Sequence, residues 1–314
     1  MTALAVQKRE LSPVAFYLGG LRPGASRRTM ASALEQVARI VGMPVARIQW
    51  ARFGYEHVAA LRARLVEEEY APATANRMIS AVRGVLREAW RLGLLAYEAY
   101  RRAADVPLVS GVREQAGRSL TRAELGALFS ACESNGPLGE RDAAILALAY
   151  AVGLRRAEIV GLDVGNVRDE GDGAFLIKVR GKGGRDRKVY VAGGGAKALR
   201  RWLERRGTHA GPLFCRVGRG RAGAPLPARG GRLSCQSIAD VVARRARAGG
   251  IEAATPHDLR RTLMGDAIDA GVDLPTLQRI MGHASPTTTS RYDRRGARAT
   301  RHAADLVHVP YRGR

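Results

Sequence analysis

The sequence predicts a mainly α-helical protein built as two domains, with a small β-sheet or hairpin in the second. Three observations carry that expectation. Apolar residues recur at helical spacing through the first part of the chain. A stretch of mixed charge containing Pro and Gly, 105–117 (DVPLVSGVREQAG), then interrupts the periodicity. Between Ala174 and Ala192 the apolar period changes to two. The length of 314 residues suits about two domains, and 46% hydrophobic residues suffice for packed cores.

In the first domain, Ser26 is placed to cap a helix from Arg27 to Val41, whose Ala31, Leu34, Val37, Ala38 and Val41 share one face. A second helix is expected over Gly54–Glu69. A third follows Pro72, with Thr74 as its cap and Met78, Val82, Val85, Leu86 and Ala89 as its apolar stripe. Away from that stripe lie Asn76, Arg77, Ser80, Arg83, Arg87 and Arg91. Such a face suits a DNA major groove, with arginine and asparagine meeting bases and phosphates; it suits an ordinary solvated helix equally. A short helix around Ala96–Ala104 completes the domain.

In the second domain, Thr121 and Glu124 form the S/T-x-x-E capping pattern of a helix start. Arg141–Val152 reads as a central buried helix ended by Gly153, and another helix opens near Arg155 and ends near Leu162. Phe175, Ile177 and Val179 alternate, as do Val189 and Val191, around a Gly181-Lys182-Gly183-Gly184 turn: a hairpin. Glycines 193–195 precede a helix through Leu203. Residues 216–232 (RVGRGRAGAPLPARGGR) form a Gly/Arg/Pro loop outside any core. Helices are expected from Gln236, over 259–270 and over 274–281.

The charge narrows the function. Lys and Arg number 52 against 29 Asp and Glu, a formal +23, which points to a polyanionic partner. Both parts of the chain contribute to it. Only five of the basic residues are lysine; arginine forks grip phosphate in pairs of bonds. Cys132, Cys215 and Cys235 are few, odd in number and widely spaced, unlike a disulfide scaffold or a zinc site. There is no run long enough for a membrane span and no signal-peptide pattern, so a cytoplasmic location is expected. No phosphate-binding loop, HExxH, GxSxG or carboxylate cluster for paired magnesium ions occurs, and neither a cofactor nor a metal is expected.

What remains is a set of cationic groups gathered late in the chain beside a possible nucleophile. Arg155 opens a helix, Lys182 sits on a hairpin tip, and His257 and Arg260 share a helical face in TPHDLRRT. His283 follows Gly282, and Tyr292 follows Ser290-Arg291. Together they hold what phosphoryl transfer without a metal requires. Arginines steady the nonbridging oxygens, a tyrosine oxygen attacks phosphorus, a lysine protonates the leaving oxygen and a histidine shuttles the tyrosine proton. Singly each has a plainer reading: a packed tyrosine, a turn lysine, capping or core histidines, surface arginines. Asp258 reads as a helix-surface or orienting residue, and Glu158 as the partner of a basic group.

In this arrangement the sequence resembles the tyrosine recombinase, or phage integrase, family in its compact bacterial Xer-like form. AVGLRRAEIVGL is similar to the family's first arginine motif and places a catalytic arginine at Arg155. VRGKGGRDRKVYV resembles the lysine hairpin, TPHDLRRT the histidine-x-x-arginine motif, and MGHASPTTTSRY the final histidine and nucleophile motif. The resemblance thus implies a catalytic set of Arg155, Lys182, His257, Arg260, His283 and Tyr292. Leu263-Met264-Gly265 stands where an aromatic residue, alanine and threonine are common.

The resemblance implies an N-terminal helical domain over 1–106 that binds core DNA, a linker over 107–117, a catalytic domain over 118–295, and a tail over 296–314 that contacts a neighbouring protomer. The two domains would close as a C-shaped clamp on duplex DNA. The implied activity is site-specific recombination (integration, excision or resolution) by a tetramer on two DNA sites, through a 3′-phosphotyrosyl intermediate and a Holliday junction. DNA relaxation in the manner of a type IB topoisomerase and an inactive DNA-binding relative are the alternatives.

Overall fold

A computed structural model describes residues 12–22, 24–111, 117–133, 136–181, 186–217 and 231–282. Lys182, His283, Tyr292, most of the 216–232 loop and the C-terminal tail lie outside the described residues. Contacts divide the chain into two compact units, Met1–Gln115 and Ala116–Arg314.

The described part of the first unit is helical: α1 Pro13–Gly20, α2 Ala25–Val41, α3 Tyr55–Glu67, α4 Pro72–Arg91 and α5 Tyr97–Asp105. Helix α4 runs through its centre. The expected stripe of Met78, Val82, Val85, Leu86 and Ala89 is fully buried, together with Ala75, Ile79 and Ala81, and α1, α2, α3 and α5 pack around it. Gly84 allows the closest approach. A Cβ there would overlap the ring of Tyr17 on α1, so any side chain would displace that buried ring. Two helix starts differ from expectation. Helix α2 begins a turn's edge earlier, with Gly24 at φ 97 as N-cap and no side-chain cap, so Ser26 lies inside the helix. Helix α4 has Pro72 itself in its first turn, leaving Thr74 within the helix, because proline's fixed φ suits a position whose N–H needs no partner.

The second unit packs helices around a central one. Its described elements are α6 Arg122–Glu133, α7 Gly136–Ala151, α8 Arg156–Gly161, β1 Val167–Asp169, β2 Phe175–Val179, β3 Arg187–Val191, α9 Gly193–Arg206, α10 Cys235–Ala248, α11 Pro256–Asp269 and α12 Leu274–Met281. Helix α7 is buried from Ala144 to Ala149 and is covered by α6, α9 and α11. The strands form an antiparallel sheet in the order β1-β2-β3, Lys178 facing Lys188 and Ile177 facing both Val167 and Val189. Phe175, Ile177, Val179, Val189 and Val191 enter the core. The short β1 extends the expected hairpin by a strand. Helix α9 includes Gly193–Gly195, which were expected to precede it: its apolar face of Ala196, Leu199 and Trp202 is fully buried, and that packing outweighs glycine's poor helix propensity.

One group of buried charges in the second unit is paired. Asp142 on α7 is fully buried and accepts from Arg141 at 2.7 Å, from Arg245 on α10 at 2.7 and 3.0 Å and from Arg244 at 3.2 Å. Arg141 and Arg245 also donate to the carbonyls of Cys215 and Ala131. This cluster ties α6, α7 and α10 to the segment ending in Cys215. Among the described residues no helix is long and apolar enough to cross a membrane.

Candidate active site

Helix α7 ends where the backbone turns through Gly153, at φ 59. A Cβ at Gly153 would meet Met281 Sδ at 2.5 Å, so both the backbone angle and the space require glycine. Leu154 then plunges into the core, and its N–H donates back to the Leu148 carbonyl at 3.1 Å. Arg155 follows as the N-cap of α8. Its backbone N–H donates to Glu158 Oε2 at 2.8 Å and its Nη1 to Glu158 Oε1 at 2.9 Å. Its side chain is 44% exposed, so the guanidinium is held from one side and open to solvent on the other.

Helix α11 begins three residues earlier than the periodicity indicates and carries both His257 and Arg260. Its start is locked by a capping box. Asp258 N–H donates to Thr255 Oγ1 at 3.3 Å, while the Asp258 carboxylate accepts from Thr255 N–H at 2.8 Å and Thr255 Oγ1–H at 2.7 Å. The same carboxylate accepts the Arg118 N–H at 3.0 Å. Asp258 is therefore buried and orienting, not a surface residue. One turn on, Thr262 Oγ1 accepts the Leu120 N–H at 2.8 Å, which fixes the chain entering α6.

Arg260 is buried. It donates to the Gly153 carbonyl through Nη1 and to the Met281 carbonyl through Nη2 at 2.5 Å. Arg155 Nη2 donates to the next carbonyl, Gly282, at 3.0 Å. Arg187, the first residue of β3, donates from Nε to the preceding one, Ile280, at 2.9 Å. Three arginines from three elements thus satisfy three consecutive carbonyls at the C-terminal end of α12. Those carbonyls have no partner within the helix and carry its partial negative charge. Gly282 closes the helix in the left-handed conformation at φ 60, and His283 is next in sequence.

Arg187 also grips Glu158 with both arms, Nη1 to Oε1 and Nη2 to Oε2, each at 2.9 Å. Burial alone would raise the Glu158 pKa, but the hydrogen bonds and charges of Arg187 and Arg155 outweigh it and hold the carboxyl below its usual range. Glu158 therefore stands ionised between two guanidiniums. Among the described residues one carboxylate faces the guanidiniums of Arg155 and Arg187, with Arg260 on the Met281 carbonyl, a net positive balance at the end of α12 of the kind a phosphate anion requires. His257 lies on the outer side of α11. Loss of water around it, with the charge of Arg260, lowers its pKa below the ordinary histidine value, which favours a neutral imidazole able to accept a proton.

The structure thus brings together Arg155 and Arg260 of the expected set and places His257 three residues from Arg260 on the same helix. Lys182, His283 and Tyr292 lie outside the described residues. Arg187 was not singled out by the sequence. Its partners, Glu158 and Ile280, stand 29 and 93 residues away, and no local pattern marks such contacts. Among the described residues no group of three or more His, Cys, Asp or Glu is arranged to hold a metal ion.

In the first unit the candidate DNA-reading residues divide. Asn76 is spent on the fold, donating to the Val109 carbonyl at 3.0 Å and accepting the Val109 N–H at 2.7 Å. Arg83 donates to the Val106 carbonyl. Both clip the segment after α5 onto α4. Arg77, Ser80 and Arg87 remain exposed. Arg77 also lines an open groove between α2 and α4 with Arg28, Thr29, Ser32 and Gln36, a concentration of donors along two helix faces.

Residues 118–298 match the model of the phage integrase family. The tyrosine recombinase XerD of Mycobacterium tuberculosis (strain ATCC 25618 / H37Rv) is 38% identical over 224 residues, covering 70% of this chain and 68% of that protein. The tyrosine recombinase XerC of Corynebacterium efficiens is 30% identical over 240 residues, covering 76% of this chain and 73% of that protein. Among solved structures, XerH recombinase bound to a palindromic difH substrate in a post-cleavage complex has a similar fold, with a TM-score of 0.66 at 19% identity over 90% of this chain and 79% of that one. A lambda integrase dimer bound to a COC′ core site superposes with a TM-score of 0.64 at 20% identity over 91% of this chain and 95% of that one.

Proposed function

This chain belongs to the phage integrase family, the tyrosine recombinases of site-specific DNA recombination, and on that premise we propose that Tyr292 is its nucleophile, assisted by Arg155, Lys182, His257, Arg260 and His283. The observation that carries the reading is the convergence of Arg155 and Arg260 on the end of α12, directly before His283. The substrate is duplex DNA, in keeping with the +23 charge.

The Tyr292 oxygen attacks a backbone phosphorus and the bond to the 5′ oxygen breaks, leaving a 3′-phosphotyrosyl ester and a free 5′ hydroxyl. The phenol proton passes to a histidine, and Lys182 protonates the departing 5′ oxygen. Arg155 and Arg260 hold the nonbridging oxygens, where charge grows in the transition state. The 5′ hydroxyl of a second site then attacks the phosphotyrosyl bond, restoring tyrosine and joining the strands. Each exchange conserves phosphodiester bonds, so no energy source is needed. Two such exchanges, made by four protomers on two sites, form and resolve a Holliday junction. The tail after Tyr292 joins neighbouring protomers, and the enzyme works in the cytoplasm on the nucleoid.

The test is a duplex selected from a randomised pool by binding, then nicked so that the cleaved flap is lost. A covalent protein–DNA band at one phosphate, formed in EDTA, is the expected result. No band in EDTA with a band in magnesium overturns the tyrosine mechanism. Supercoil relaxation without strand exchange between two selected sites assigns the chain to topoisomerase chemistry instead.

A further inference from the structure

We infer that Arg187 is a positioning residue that joins the lysine hairpin to the arginine clamp, acting on the reacting phosphate through Arg155 and the end of α12; this rests on the recombinase reading above. The residue begins β3, the strand that follows the Lys182 turn. Its side chain is 13% exposed, and its guanidinium makes three directed bonds, two to Glu158 and one to the Ile280 carbonyl. A Cβ at Gly282 would meet its Nη1 at 2.9 Å, so the glycine before His283 leaves room for this arginine.

The geometry gives Arg187 a task that charge alone cannot perform. Glu158 offers each of its two oxygens to both arginines: Oε1 accepts from Arg155 Nη1 and Arg187 Nη1, Oε2 from Arg155 N–H and Arg187 Nη2. The carboxylate cannot rotate without breaking several bonds at once. That fixes the plane of Glu158, and through it the side chain of Arg155. The Nε bond to Ile280 holds the same unit against α12, whose next two carbonyls receive Arg260 and Arg155. Removing the fork frees Glu158 to turn and draws Arg155 with it. A lysine in its place keeps the charge but supplies a point donor in place of a planar fork.

The test is single-turnover cleavage of the nicked duplex at saturating protein, with binding measured by gel shift, for Arg187→Gln and Arg187→Lys. Both variants are expected to cleave about a hundredfold more slowly, the scale of a small misplacement of a catalytic group, with affinity within about threefold of wild type. In an Arg155→Lys background, Arg187→Gln is expected to add little, because both changes disturb one guanidinium. A 5′-bridging phosphorothiolate, which leaves without a proton, is expected not to restore the rate. Cleavage at the wild-type rate in either variant, fully additive losses in the double variant, or rescue by the phosphorothiolate each overturns the inference. If Arg187→Gln does not fold by circular dichroism, Arg187→Lys decides alone. Absence of any covalent complex with the wild-type protein strikes the recombinase reading itself; a normal complex with wild type and Arg187→Lys alike strikes only the role of Arg187.

Discussion

Arg155 and Arg260 donate to adjacent carbonyls, Arg155 to Gly282 and Arg260 to Met281, so two arginines from distant helices share one helix end. The arrangement fixes both guanidiniums on neighbouring acceptors of that helix end. Two cations close together repel, and the α12 carbonyl dipoles and the Glu158 carboxylate offset that repulsion. Preorganisation of this kind gives electrostatic catalysis its strength, because the donors need not reorganise as charge develops.

Loss of either arginine should therefore cost rate more than affinity. Arg155→Ala and Arg260→Ala are each expected to raise the cleavage barrier by roughly 3–4 kcal/mol, the usual loss for one strong oxyanion donor. Single-turnover cleavage beside a gel-shift affinity checks it. The two should differ in stability. Arg260 is buried between Gly153 and Met281, so its removal should also lower the melting temperature, whereas Arg155, half exposed, should not.

The lowered pKa of His257 fixes a sign. The unfolded chain gains a proton near the ordinary value of 6.5, and the folded chain only at lower pH. Stability contributed by neutral His257 is present above 6.5 and is lost as pH falls through the folded pKa. Imidazole NMR titration of the free protein should show a pKa below 6.5, and His257→Asn should lose less stability than wild type on acidification. A pKa above 6.5 would contradict the assignment of a neutral proton acceptor.

Asp142 is the hub of a buried ionic cluster. Asp142→Asn leaves Arg141 and Arg245 buried without their counter-charge, and breaking a buried pair in this way costs about 3–5 kcal/mol. Urea unfolding of the full chain should show the loss in the transition of the second unit.

In the first unit, Arg77 and Asn76 are neighbours in sequence with separate expected effects. Arg77→Gln should weaken DNA binding and reduce the slope of log affinity against log salt by about 1, the signature of one lost phosphate contact. Asn76→Ala should leave that slope unchanged and lower stability, since its side chain is bonded to Val109. Salt titrations of binding, with melting curves, separate the two.

Much of this was legible in the chain itself. The stripe of α4, the Thr121–Glu124 capping box and the alternation of β2 and β3 are local patterns, and local patterns read directly. So is Arg155 with Glu158, three residues apart at a helix start. What could not be read depends on distant partners. Nothing near Arg187 announces Glu158, and nothing near Asn76 announces Val109. Asp258 reads from the chain alone as either a helix-surface or an orienting residue, and only the N–H of Arg118, far away in sequence, decides for the second. The three-residue β1 is too short to show a period, and the glycines opening α9 run against helix propensity until its packing on α7 is seen.

In the reaction proposed above, Tyr292 carries the DNA while Arg155 and Arg260 hold the phosphate. The most direct test is to trap the covalent complex on the nicked duplex in EDTA, digest the protein and map the DNA-linked peptide by mass spectrometry. The linkage is expected on Tyr292, with Tyr292→Phe binding the duplex normally and forming no adduct. Attachment at another residue, or an adduct at normal yield in Tyr292→Phe, would contradict the account.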